Sequence, residues 1–137
     1  MGDSELSNYE LTASRLSPRR TEVSTGDAEF VVGKDVNPVE YLLGSLVACL
    51  NLTGTMVARD MDIDIESLEA TIQGDVNYAT YRGEDVDDRA GLQGVEVSLS
   101  VETAGDADLD AWLSNVKDRC PVTDNVENET GVSVSID

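Results

Sequence analysis

Hydrophobic and polar positions along this 137-residue chain fall into two periods. Tyr9, Leu11 and Ala13 alternate with Glu10, Thr12 and Ser14, the period of a half-buried strand. Ser17-Pro18 then signals a turn, and Arg19 to Thr25 reads as a second strand. Gly26-Asp27 looks like a hairpin turn into AEFVVG, a third. Farther on, Leu68, Ala70, Ile72, Gly74, Val76 and Tyr78 share one face of a long strand. YRGEDVDDRAGLQG reads as a solvated loop, after which Val95, Val97, Leu99 and Val101 alternate with Glu96, Ser98, Ser100 and Glu102. Val132, Val134 and Ile136 predict a closing strand.

Two segments follow the helical period instead. Asn37 suits an N-cap and Pro38 the first helical position, with Glu40 at capping-box spacing, so a helix is predicted to about Arg59. DADLDAWLSNVKDR is the second, with Leu109, Trp112, Leu113 and Val116 on its apolar face. Its acidic start and its Lys117 and Arg119 end both favour the helix dipole. Cys120 continues that face, and Pro121 stops the helix or opens a short one through Val122 to Val126. The order strands, helix, strands, helix, strand predicts an α+β fold with antiparallel sheets. The length predicts one domain over residues 1–137.

The first helix contains no charged residue from Tyr41 to Ala58. That run of 18 is about the shortest that spans a bilayer. Asn51, Thr53, Gly54 and Thr55 lower its hydrophobicity, and it lacks basic flanks on either side. No membrane role is therefore expected, and the run reads as a central helix buried on most of its circumference. Gly44 and Ala48 form one stripe of small residues, and Ser45, Cys49 and Thr53 form another, letting a second backbone approach closely. A chain of this size has little material to surround such a helix, so a homodimer is expected to complete its shell.

Charge narrows the function. With 28 acidic and 9 basic residues the formal charge is -19, which repels nucleic-acid phosphate and argues against a DNA or RNA partner. The composition resembles that of cytosolic proteins from salt-loving microbes, and no signal peptide is visible, so a cytoplasmic location is expected. The absence of histidine rules out Ser-His-Asp and Cys-His catalysis and histidine zinc sites within the chain. Asp85, Asp87 and Asp88 lie in an acidic loop without an EF-hand pattern.

Thiol chemistry remains. Cys49 and Cys120 stand 71 positions apart, a spacing that suits neither a metal knuckle nor a disulfide-rich scaffold. Cys49 reads either as an inert core residue or as a thiolate, which requires a nearby cation because the helix N-terminus is three turns away. Arg15, Arg19 and Arg20 form the one concentrated set of cations, and each alternatively pairs with a carboxylate such as Glu22. Cys120, before Pro121 and beside Arg119, has local features that favour its thiolate; its other reading is again a core residue.

NPVEYLLGSLVACL resembles the first cysteine motif of the OsmC/Ohr family, and CPVTDNV followed by VSVSI resembles the second. The element order fits from about Tyr9 to the end. The resemblance implies the OsmC-like fold, an intertwined homodimer with the long helices at its centre, and a role in oxidative or osmotic stress defence. It implies a thiol-dependent peroxidase reducing organic hydroperoxides: Cys49 would become a sulfenic acid and Cys120 would resolve it to a disulfide. An external dithiol, lipoyl-type in the Ohr branch, would reduce the pair, with no metal or flavin. The family's arginine falls on Arg19 or Arg20, with Arg20 preferred. Its glutamate directly follows the proline; here Val39 holds that place and Glu40 comes one later, so Glu40 reads as a catalytic carboxylate or as a helix cap. NPVEYLLG is closer to the broad OsmC-like group, for which the other expectation is a non-catalytic module binding an apolar small molecule in the dimer groove.

Overall fold

Among the described residues, 5–137 of the computed structural model, five strands and four helices alternate in antiparallel α+β order. The chain divides into two compact units, Met1–Leu42 and Leu43–Asp137.

In the first unit, β1 (Thr12–Ser17), β2 (Arg20–Ser24) and β3 (Glu29–Val32) form an antiparallel sheet in that order. Ala13 pairs with Val23, and Val23 with Phe30. The expected strand from Tyr9 begins instead at Thr12. Thr12 pairs with Ser24, the last residue of β2, so Tyr9 and Leu11 have no ladder to join and are exposed. The turn between β2 and β3 closes with Thr25 N–H donating to the Ala28 carbonyl at 2.9 Å, and Gly26 takes the left-handed φ of 97°. Gly33 (φ 93°) follows β3; a Cβ there would run into the Arg19 carbonyl. The Phe30 and Tyr41 rings stack with centroids 6.1 Å apart.

Helix α1 (Pro38–Asp60) starts in the first unit and continues into the second. Its capping box is complete: Glu40 N–H donates to Asn37 Oδ1 at 2.9 Å, and Asn37 N–H to Glu40 Oε1 at 3.0 Å. Its other end is a Schellman motif, with Ile63 N–H donating to the Ala58 carbonyl at 2.8 Å and Asp62 N–H to that of Arg59 at 3.3 Å. Asp62 holds the left-handed position at φ 56°.

The second unit contains β4 (Ile65–Val76), the single-turn α2 (Tyr78–Tyr81), β5 (Leu92–Thr103), α3 (Leu109–Arg119) and α4 (Pro121–Glu127). β4 and β5 pair antiparallel, with Leu68 opposite Val101, Ala70 opposite Leu99 and Ile72 opposite Val97. These residues face inward while Glu66, Glu69, Gln73, Glu96 and Glu102 face outward, so the alternation in the sequence becomes one packed and one solvated face. The inner face packs against Leu46, Leu50, Val57 and Ala58 of α1 and Trp112 and Val116 of α3.

Four further expectations are corrected. Tyr78 leaves the strand, because Asn77 Oδ1 accepts from Ala79 N–H at 3.0 Å and starts a helical turn in place of a ladder. β5 opens at Leu92, inside the expected loop. The closing strand does not form: residues 129–137 have no regular structure, and Val132, Val134 and Ile136 are 83%, 88% and 99% exposed. No described strand pairs with them, and alternation without a ladder buries nothing. Finally, α1 is buried along one stripe rather than most of its circumference. Leu46, Leu50, Thr53, Gly54, Val57 and Ala58 are inside, and Gly44, Ala48, Leu52 and Met56 are exposed. This helix is also long and apolar enough to cross a membrane, by a measure of length and composition that the core helix of a soluble protein passes as well.

Candidate functional site

The two cysteines, 71 positions apart in sequence, meet in the second unit. Three features put them there. Cys49 lies on α1 one residue before the buried Leu50, at the border of the stripe that packs on the sheet. Trp112 anchors α3 on the same helix: its indole Nε1 donates to the Gly54 carbonyl at 2.9 Å, in full burial. Cys120 then follows the buried Val116 by one helical turn and sits at the α3–α4 junction, where Pro121 opens the new helix. The backbone at Cys120 is extended (φ -83°, ψ 112°), as an N-cap requires.

The environments differ. Cys120 is only 1% exposed. Cys49 is half-buried, and its Sγ lies 3.9 Å from Thr53 Oγ1. Both are free thiols and pack in the same apolar cluster. Burial is the largest single influence on the Cys120 thiol and pushes its pKa up. The opposing donors outweigh it together: the Thr123 hydroxyl and backbone N–H, the Cys49 thiol and the Val122 backbone N–H leave the pKa below the ordinary thiol value of 9.0.

Thr123 explains part of this. Its Oγ1 is buried and has no hydrogen-bond partner beside the neutral thiol. A buried hydroxyl left unpaired costs about 1–3 kcal/mol. A thiolate at Cys120 supplies the missing acceptor, and as an N-cap anion it also draws the N–H groups of Val122 and Thr123. Chemically, two free thiols packed in one cluster can join as a disulfide when one of them is oxidised.

The other expected site residues, Arg19, Arg20 and Glu40, belong to the first unit. Arg19 sits in the β1–β2 turn, its N–H donating to Ser17 Oγ at 3.4 Å, and Arg20 opens β2. Both are exposed, and among the described residues neither joins an ion pair. The suggested pairing with Glu22 is therefore not made. Glu40 spends Oε1 on the capping box. Asp88 is engaged locally, accepting from Asn77 Nδ2 at 2.7 Å and, through its carbonyl, from Thr80 at 2.8 Å. Among the described residues no three acidic or thiol side chains gather as a metal site.

Sequence reasoning overlooked Thr123 and the Trp112–Gly54 bond, and placed Thr53 only in a stripe of small residues with Cys49. Thr123 had a legible signal, since a residue three after an N-cap offers its N–H to the cap.

The sequence profile of the OsmC-like protein family matches residues 31–135. No curated protein matches the chain. Among solved structures it is similar to an OsmC-like protein from Mycoplasma pneumoniae, with TM-score 0.77 and 18% identity over 88% of each chain. It is similar to an OsmC-like protein of unknown function from Vibrio cholerae, with TM-score 0.73 and 13% identity over 90% of this chain and 96% of that one. An organic hydroperoxide resistance protein from Legionella pneumophila gives 0.61 and 17%, over 90% and 91%. At these identities the likeness is one of fold.

Proposed function

The chain belongs to the OsmC-like family, and from that premise we propose that it is a thiol-dependent peroxidase reducing organic hydroperoxides through Cys49 and Cys120. The observation that carries the reading is that the two cysteines, 71 positions apart in sequence, pack into one cluster of the second unit, where neighbouring donors hold the Cys120 thiol below its ordinary pKa. Hydroperoxide resistance in a protein of the same fold from Legionella pneumophila supports the substrate class.

The difference in exposure supports giving the two sulfurs different roles. A peroxide reaches half-buried Cys49 before Cys120. The Cys120 thiolate takes the Cys49 proton. The Cys49 sulfur then attacks the distal oxygen of the hydroperoxide and the O–O bond breaks. The departing alkoxide recovers the proton from Cys120 and leaves as alcohol, and Cys49 is a sulfenic acid. The renewed Cys120 thiolate displaces hydroxide from that sulfur, giving the disulfide. Hydroxide leaves as water after protonation, and an external dithiol, lipoyl-type by family resemblance, returns both thiols.

The supporting roles are part of the same proposal. Arg20, or Arg19 in its place, assists the peroxide step as a cation, whereas Glu40 serves as the helix cap. The exposed uncharged side of α1, in a chain of charge -19, suits burial against a second copy, so the working form is a homodimer in a salt-rich cytoplasm. The test is consumption of cumene hydroperoxide with dithiothreitol in molar salt. Turnover is expected for the native chain and none for Cys49→Ser. Equal turnover by Cys49→Ser contradicts the proposal.

A further inference from the structure

A cavity of about 540 Å³ opens in the second unit between β5 and helices α1, α3 and α4. This is within the range of small-molecule sites. Neither cysteine lines it, although Thr123, the neighbour of Cys120, does, so the cavity adjoins the sulfur pair without containing it. Leu46, Leu50, Val95, Val97, Leu99 and Val126 give it an apolar wall.

Its charged residues are unusual for this chain. Arg89, Lys117 and Glu127 line it. Only 9 of 137 residues are basic, yet two of them converge here. Among the described residues neither forms an ion pair, although the chain carries 28 carboxylates. Arg89 is fixed in place: its Nη2 donates to the Leu92 carbonyl at 2.7 Å, and its own carbonyl accepts from Gln93 Nε2 at 2.9 Å. The lining thus has two cations without a carboxylate partner among the described residues against one carboxylate, a net charge of +1 in a chain whose formal charge is -19.

We propose that this cavity binds an amphipathic monoanion, an alkyl chain ending in a carboxylate, with the chain against the leucine and valine wall and the carboxylate between Arg89 and Lys117. Glu127 sets the charge limit, because a dianionic head would face its repulsion. The apolar wall excludes a polar ligand, which would lose hydration there without gaining partners. Burial of the chain supplies most of the affinity and the two cations supply the preference for a carboxylate. No peroxide group is required, so the site stands whether or not the thiols turn over.

The experiment is calorimetric titration of the intact chain with decanoate and, separately, with decanol, at the lowest salt that preserves the melting transition. Decanoate is expected to bind about ten-fold more tightly than decanol. The exposed-residue variant Arg89→Gln/Lys117→Gln should lose that preference while still binding decanol, which shows that the cavity itself is kept. Val126→Trp, which fills the cavity, should weaken both ligands. Equal binding of the two ligands, an unaltered preference in the double variant, or no binding because a second copy covers the cavity would each overturn the proposal.

Discussion

The indole Nε1 of Trp112 donates a 2.9 Å hydrogen bond to the carbonyl of Gly54, between two residues 58 positions apart and both buried. This bond holds the helix that leads into Cys120 against the helix that carries Cys49. Gly54 leaves room for the ring: a Cβ there would lie 2.6 Å from Trp112 Cζ2. Gly54→Ala is expected to lower stability by about 1–3 kcal/mol through overpacking. Trp112→Phe should also destabilise, by roughly 1–3 kcal/mol, from the lost indole hydrogen bond and the space left by the smaller ring. Denaturant unfolding in molar salt measures both. A stability equal to the native chain's in either variant would mean that the contact does not hold the two helices together.

The Cys120 thiol should ionise at a lower pH than an ordinary thiol, because the donors around it outweigh burial. The folded pKa is depressed. The associated stability is therefore fully present above the unfolded thiol's pKa and is lost as pH falls through the folded value. Thr123→Val should move the thiolate absorbance transition to higher pH, and Thr123→Ser should leave it in place. A Thr123→Val titration that overlays the native one removes the hydroxyl from this account.

Much of this arrangement was legible in the sequence. The capping box at Asn37 and Glu40, the inward faces of β4 and β5, and the restart of the helix at Pro121 all follow local periodicity or cap chemistry, and local rules decide them. The expectations that failed depended on a neighbour. Tyr9 and Val132 to Ile136 alternate well enough for strands, but a ladder needs a partner edge and none of the described strands supplies one. Asn77 diverted Tyr78 from the strand through a side-chain bond that periodicity does not register. At the candidate site both cysteines could be named from the sequence. The donor at Thr123 became visible only once the α3–α4 junction fixed where that hydroxyl lies.

Glu40 separates a structural role from a catalytic one. Asn37→Ala should cost about 1 kcal/mol of stability. Glu40→Gln keeps an oxygen for the Asn37 N–H and should keep both the fold and peroxide turnover. A loss of turnover in Glu40→Gln with unchanged melting would assign the carboxylate to the chemistry.

Salt should govern stability. Among the described residues only Arg82–Glu84 and Arg119–Asp60 form ion pairs, which leaves most of the 28 carboxylates to repel one another. At 1 M salt the Debye length is about 3 Å, short enough to screen them. The melting temperature is expected to rise steadily from millimolar to molar sodium chloride. A flat profile would show that the charge is tolerated without screening.

The central claim is that Cys49 and Cys120 act as one redox pair, and counting thiols tests it most directly. Titration of the reduced chain with cumene hydroperoxide, followed by mass spectrometry of the digested protein, should show one peroxide consuming both thiols and a single intramolecular Cys49–Cys120 disulfide. Cys120→Ser should stop at a sulfenic acid on Cys49. Two thiols that survive equimolar peroxide, or a Cys120 sulfenic acid with Cys49 untouched, would contradict the account.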